Sequence, residues 1–109
     1  MKRFENENKI LSFIGLAKRA GKISSGEAKV LEDIKTSKTF LVVISSDASE
    51  NTEKKLTDKC KSYKKPFIIF SDRETLGKYS KKDYAVALSV TDKNFANQIK
   101  KLCGFEDKL

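Results

Sequence analysis

Apolar residues first recur at three- and four-residue steps, at Ile10, Phe13, Ile14, Leu16, Ala17 and Ala20. That is the spacing of one helix face, and it predicts a helix from about Asn6 to Ala20. Lys18 and Arg19 occupy its last turn, and Gly21 stands where a C′ residue ends such a helix. Lys22 and Ile23 leave room for a very short strand or bridge. A second helical pattern runs from about Ser25 to Thr36, and Ser24 with Glu27 has the S-x-x-E spacing of a capping box at its start. Projected around a helix, Val30, Leu31 and Ile34 share one face with the Glu27 stem. Ser25, Ala28, Lys29 and Glu32 share the other, which points toward solvent or a ligand.

Phe40-Leu41-Val42-Val43-Ile44-Ser45 is a continuous apolar, β-branched run too short for a helix, and it predicts a strand covered on both faces. Ser46-Asp47-Ala48-Ser49 is a polar turn, and Asp47 with Glu50 repeats the capping spacing. A helix over 49–64 carries a narrow stripe of Leu56, Cys60 and Tyr63. Its remaining surface is rich in lysine (Lys54, Lys55, Lys59, Lys61, Lys64, Lys65), which reads as a solvated face before it reads as a binding one. Pro66 ends that helix and launches a strand, Phe67-Ile68-Ile69-Phe70. Ser71 and Glu74 form another capping box, opening a short helix through Leu76 that Gly77 closes. Lys78 to Asp83 is a basic loop, and Tyr84 to Val90 is a strand. Thr91 or Asp92 caps a final helix with Phe95, Ala96, Ile99, Leu102 and Cys103 on its inner face, and the last few residues are expected to fray. Helices alternating with short strands across short linkers make this an α/β chain, a single α/β/α layered domain over 1–109.

Composition narrows the partners. A chain of 109 residues can bury a core without disulfides or metal. Lys and Arg number 23 against 15 for Asp and Glu, a net charge of +8 that favours a polyanion. Nucleic acid is the first candidate and an acidic membrane surface the second; solubility alone is the bland alternative. No apolar run approaches the ~20 residues of a membrane-spanning helix, and Met1 to Asn8 lacks the apolar core of a secretory signal. Cys60 and Cys103 fall far apart at apolar-periodic positions. Without histidine or a C-x-x-C pair they read as small core residues in a reducing, cytoplasmic setting, not as metal ligands.

Catalytic chemistry is thin. The absence of histidine removes the commonest general base and every Ser-His or Cys-His pair. Carboxylates mostly stand beside lysines at helical spacing, as in Glu50–Lys54 and Lys29–Asp33, which reads as surface ion pairing. Gly15 to Lys22 fails as a phosphate loop. Five residues separate Gly15 from Gly21 where four are needed, Ile23 stands where Ser or Thr should hold magnesium, and the preceding stretch is helical. No cofactor is called for, and a hydrolase or transferase is disfavoured. What remains is the Gly26 turn, whose following helix N-terminus attracts phosphate. Lys18, Arg19, Lys22 and Lys29 flank it in sequence, and Lys78, Lys81 and Lys82 crowd the loop before the last strand. If both lie at one end of the sheet, they form one basic surface around a helix end.

Four stretches carry a family resemblance: Ala17-Lys18-Arg19-Ala20-Gly21-Lys22-Ile23-Ser24-Ser25-Gly26, Leu41-Val42-Val43-Ile44-Ser45-Ser46-Asp47-Ala48, Lys65-Pro66-Phe67 and Glu74-Thr75-Leu76-Gly77-Lys78. In order and over nearly the whole chain, they resemble the kink-turn-binding ribosomal proteins of the L-seven-Ae and thirty-e type. Ser46 to Thr52 followed by Thr57-Asp58-Lys59-Cys60 is most similar to the bacterial YlxQ branch. The resemblance implies a three-layer α/β/α sandwich around a small four-stranded mixed sheet. It also implies binding of RNA in which tandem sheared G·A pairs adjoin a bulge and bend the duplex. The helix after the glycine would enter the groove, and the loop before the last strand would cover the bulged nucleotides.

The implied RNA-contacting set is Lys22, Ser25, Gly26, Glu27, Ala28, Lys29, Glu32, Asp47, Lys81, Lys82, Asp83 and Tyr84. The family pattern after the turn glycine is one residue, then Asn-Glu-x-x-Lys. Here Ala28, Lys29 and Glu32 hold those reading positions, so the amide is absent and the carboxylate and ammonium have exchanged places. Lys81-Lys82-Asp83-Tyr84 stands where the family is mostly apolar, leaving Tyr84 as a stacking group. The expected function is therefore a non-catalytic RNA-binding protein for kink-turn-like or ribosomal RNA, with ribosome association and no membrane. The alternative is a protein-interaction module of the same fold that has lost specific RNA reading.

Overall fold

The structure, a computed structural model, describes residues 6–104. The reading of the stretch before Asn6 and the expected fraying of the last few residues fall outside that range. The elements run α1 (Glu7–Arg19), β1 (Ile23–Ser25), α2 (Glu27–Lys35), β2 (Leu41–Ile44), α3 (Glu50–Ser62), β3 (Phe67–Ile69), α4 (Arg73–Tyr79), β4 (Ala87–Val90) and α5 (Lys93–Leu102). The strands form one sheet in the order β1-β4-β2-β3. β4 is antiparallel to both β1 and β2, and β3 is parallel to β2, so the sheet is mixed.

Side-chain alternation along the strands sorts the core into two layers. Leu41, Val43, Ile68, Leu88 and Val90 face α1, α4 and α5, where Ile10, Ile14, Leu76 and Ile99 complete one cluster. Val42, Ile44 and Ala87 face the opposite way, onto Val30, Ile34, Leu56 and Cys60 of α2 and α3. Every β2 residue is buried, as its uninterrupted apolar run predicts for a strand covered on both sides. The result is the expected three-layer α/β/α sandwich.

Several boundaries differ from the sequence expectation, for local reasons. Ser24 does not open a capping box: it lies in β1 opposite Ser89, because pairing with β4 continues to Ser25 and makes Gly26 the residue before α2. Asp47 does not cap α3. Ser49 does, accepting from the Thr52 amide at 3.2 Å. Ser71 does not cap α4 either, since it sits at φ 61; Asp72, with extended backbone, accepts from the Thr75 amide at 2.7 Å. Asp92 caps α5 through the Phe95 amide.

Gly77 does not close its helix, which continues to Tyr79. Its glycine is needed for close approach, because the backbone of Tyr84 packs against it. Residues 84–86 are not strand: the Ala85 amide donates to Arg73, and the Val86 carbonyl accepts from Ser45, so their backbone bonds go to the start of α4 and to the turn after β2. Phe40 precedes β2 instead of joining it, and Tyr63 is exposed beyond the Leu56–Cys60 stripe.

Candidate nucleic-acid interface

Strand direction decides which loops meet. β1, β2 and β3 end, and β4 begins, at one edge of the sheet. The start of α2, the β2–α3 turn, the β3–α4 turn and the end of the α4–β4 loop therefore adjoin. Backbone bonds tie them: the Gly26 amide donates to Ala87 (3.1 Å), Ser45 to Val86 (2.9 Å) and Ser46 to Ser71 (2.8 Å).

At the centre is the N-terminus of α2. Gly26 holds φ 99 and ψ 148, a region essentially reserved for glycine, and no side chain caps the helix. α3, α4 and α5 each carry a side-chain cap, so α2 is distinguished from them by open first-turn amides. Ala28, Lys29 and Glu32 lie exposed on its outer face, as the helical projection requires, while Val30 and Ile34 are buried. Ser25 is half-buried at the end of β1, paired with Leu88.

Glu27 serves the scaffold. Its carboxylate accepts from the Thr52 hydroxyl and from Lys55 Nζ, both at 2.9 Å, and Thr52 in turn accepts from the Ser49 hydroxyl. This chain braces the start of α2 against the start of α3. The Lys55 ammonium first, and then the Thr52 hydroxyl, hold the Glu27 carboxyl below its ordinary value of 4.5. A group depressed in the folded state contributes stability that is present above its unfolded value and is lost as pH falls through the folded one. Urea unfolding at neutral and acid pH is therefore expected to show a smaller acid-side loss for Glu27→Gln than for the wild type. Equal losses would mean that the brace contributes nothing to stability.

Lys29 and Glu32 form an ion pair at 3.2 Å, and Lys29 also reaches Asp33 at 3.5 Å. Hydrogen bonding to Glu32, then the charges of Asp33 and Glu32, raise the lysine pKa, so Lys29 is an ammonium at neutral pH. Asp33 is not the surface partner its spacing suggested: it is 1% exposed, and its Oδ2 has no hydrogen-bond partner.

Asp47 organises the neighbouring turn. Its Oδ1 accepts from the Arg73 amide at 3.0 Å, its carbonyl accepts from Arg73 Nη2 at 2.6 Å, and Oδ2 lies 3.5 Å from Arg73 Nε. Desolvation alone would raise the Asp47 pKa, but hydrogen bonding, from the Arg73 amide first, together with the Arg73 charge outweighs it and holds the carboxyl low. Arg73 is the residue that sequence reasoning missed. Nothing in its spacing connects it to Asp47; only the parallel placement of β2 beside β3 brings their turns together.

Lys81 and Lys82 lie at the C-terminal end of α4, where Lys82 donates its amide to Gly77. That is about 10 Å along the helix from its start. Lys81 takes φ 62, the left-handed C′ position usually held by glycine. Asp83 is exposed, and Tyr84 is the most open large hydrophobic side chain among the described residues, at 64%. Lys81→Gly is expected to gain about 1 kcal/mol of stability by relieving the left-handed backbone. The same variant is expected to bind RNA less well through the lost cation. Denaturant unfolding and a binding titration check the two signs together.

Lys22 does not join this group. It precedes β1, its carbonyl accepts from Thr91, and with Lys18 and Arg19 it occupies the opposite end of the sheet. The expected single basic surface around α2 is therefore divided. In segments 25–29, 45–50 and 70–74, Glu27, Asp47, Glu50, Asp72 and Glu74 face only Lys29 and Arg73. The acids suit the N-termini of α2, α3 and α4, which all start at this end.

Comparison with known proteins agrees with this architecture. Residues 8–100 match the model of the ribosomal protein L7Ae/L30e/S12e/Gadd45 family. An RNA-binding protein YlxQ from Bacillus subtilis (strain 168) is 44% identical over 86 residues, covering 79% of this chain and 86% of that protein. An RNA-binding protein YlxQ from Enterococcus faecium is 40% identical over 101 residues, covering 89% and 93%. Among solved structures, a protein of unknown function from Bacillus halodurans C superposes with a TM-score of 0.85 at 38% identity, covering 88% of this chain and 97% of that one. A Giardia lamblia 15.5kD RNA binding protein gives 0.80 at 18% identity, covering 95% and 89%, and supports the fold alone. With its sheet order, its glycine-led second helix and these relatives, the chain belongs to the ribosomal protein L7Ae/L30e/S12e/Gadd45 family.

Proposed function

We propose that this protein is a single-domain, non-catalytic, cytoplasmic RNA-binding protein that recognises kink-turn-like structured RNA in a ribosome-related setting. The observation that carries the reading is the glycine-led, uncapped start of α2, with Ala28, Lys29 and Glu32 open on its outer face. A phosphate at the α2 amides is favoured by the open N–H groups and the helix dipole. Lys29 donates to a guanine O6 or N7, and Glu32 accepts from a base amino group. One donor and one acceptor remain available at i and i+3, although their order is exchanged relative to the family pattern. Tyr84 offers a face to an unstacked base, and Lys81 and Lys82 meet the backbone beyond it. Asp47 acts through Arg73, whose guanidinium it orients at the edge of the same surface.

The cysteines support a role without nucleophilic chemistry. Burial pushes the Cys60 thiol up to about 12 and the Cys103 thiol to about 11, so both stay protonated at neutral pH.

Mobility shift at physiological salt tests the reading, comparing a kink-turn RNA with the same RNA after its sheared G·A pairs are converted to Watson–Crick pairs. The expected result is a loss of at least tenfold in affinity on conversion. Equal, weak binding to both would leave a general polyanion binder. Partners that survive nuclease treatment would favour the protein-interaction reading, which the engagement of Lys29 by Glu32 and Asp33 supports.

A further inference from the structure

The end of the sheet opposite α2's N-terminus carries the charge that the candidate interface lacks. Segments 18–22, 35–40, 63–66 and 91–94 hold Lys18, Arg19, Lys22, Lys35, Lys38, Lys64, Lys65 and Lys93 against a single carboxylate, Asp92. That carboxylate is already used, as the cap of α5. Among the described residues, none of these cations lies in an ion pair.

Their placement is regular. α1, α2 and α3 each end here in the same turn, in which the second residue past the cap donates its amide back into the helix. The bonds are Lys22 to Ala17 (2.8 Å), Lys38 to Asp33 (2.9 Å) and Lys65 to Cys60 (2.8 Å). Each of these lysines shortly precedes a strand: β1, β2 and β3 respectively. Lys93 follows the end of β4. In sheet order the row reads Lys22, Lys93, Lys38, Lys65, one lysine per strand. At the usual strand spacing it spans about 14 Å.

Helix dipoles account for only part of the row. They favour Lys18, Arg19 and Lys35 in last turns, and Lys22, Lys38 and Lys65 just past the helix ends, but not a cation at a helix start. Lys93 opposes them outright, opening α5 in a first turn that contains no acid. Two aromatics stand among these cations, Phe40 at 40% exposure and Tyr63 at 42%. Lysines on fixed turns, interleaved with open aromatic faces, match a sugar-phosphate backbone and its neighbouring bases.

We infer that this pole is a second RNA-contacting surface, which engages the phosphate backbone of an RNA duplex separate from the segment held at α2. The protein then bridges two RNA segments across its sheet. The inference rests on the chain being an RNA-binding protein and not on kink-turn recognition, so its probe contains no kink-turn.

The test compares a fully paired RNA hairpin with a kink-turn RNA in anisotropy titrations across a salt series. The variants are K38Q/K65Q/K93Q and, as an equal-charge control away from the pole, K9Q/K54Q/K101Q. Circular dichroism confirms that each variant is folded. The pole variant is expected to lose at least tenfold in hairpin affinity, with the log–log salt slope reduced by about 2–3. The control is expected to lose less than threefold. Wild-type hairpin binding in the pole variant overturns the inference, and so does an equal loss in the control, which would mean delocalised charge. A pole that binds phosphatidylserine vesicles and not the hairpin overturns it in favour of a membrane surface. Failure of the kink-turn RNA alone, with the hairpin result intact, counts against the first interface and leaves this one standing.

Discussion

Gly77→Ala is expected to lower the melting temperature by roughly 10 °C, a loss of about 2 kcal/mol. The sign is not obvious in advance. Gly77 lies inside α4, where alanine is normally better by about 1 kcal/mol. Space reverses that preference, because a Cβ would stand 2.5 Å from the Tyr84 Cα, 2.7 Å from its nitrogen and 2.9 Å from its carbonyl carbon. These are backbone atoms, so no rotamer change relieves them, and α4 and the loop must separate. The bonds from Ala85 to Arg73 and from Lys82 to Gly77 hold the two together and would strain with them. Since Tyr84 belongs to the proposed interface, RNA affinity should fall along with stability. A calorimetric scan showing an unchanged or higher melting temperature would mean that the contact yields freely.

The individual elements were legible in the sequence to different degrees. β2 was readable because burial on both faces leaves an unbroken apolar run. α1 was readable because its core face repeats at helical steps and Gly21 closes it, at φ 73. Caps were harder. Ser, Thr and Asp cluster at each turn, and the residue that caps is the one whose backbone is extended there, a property set by the turn's tertiary bonds. Hence Ser49 and Asp72 cap, and Asp47 and Ser71 do not. Gly77 shows a similar gap, since a stop signal and a close-approach signal are the same letter in sequence. The charge distribution was least legible. Lys22 is four residues from Gly26, yet β1 lies between them and carries them to opposite ends of the sheet.

Lys29→Glu is expected to weaken binding to a kink-turn RNA by about tenfold or more, with a shallower salt dependence. Reversing this charge removes a donor from the exposed face of α2 and sets a carboxylate beside the RNA. The structure makes a second effect unavoidable. Lys29 is also the cation beside Asp33, which is buried with Oδ2 already unpartnered. Lys29→Glu would place three carboxylates together, with Glu32 as the third, and stability should fall for reasons unrelated to RNA. A neutral pair of variants separates the two causes. Lys29→Gln alone leaves Asp33 without its cation and should lose both stability and affinity. Lys29→Gln combined with Asp33→Asn removes the buried charge together with its partner, so the melting temperature should return toward wild type while affinity stays low. If affinity recovers with stability in the double variant, Lys29 supports the helix and does not touch the RNA. The proposed reading of guanine would then rest on Glu32 and the open amides alone.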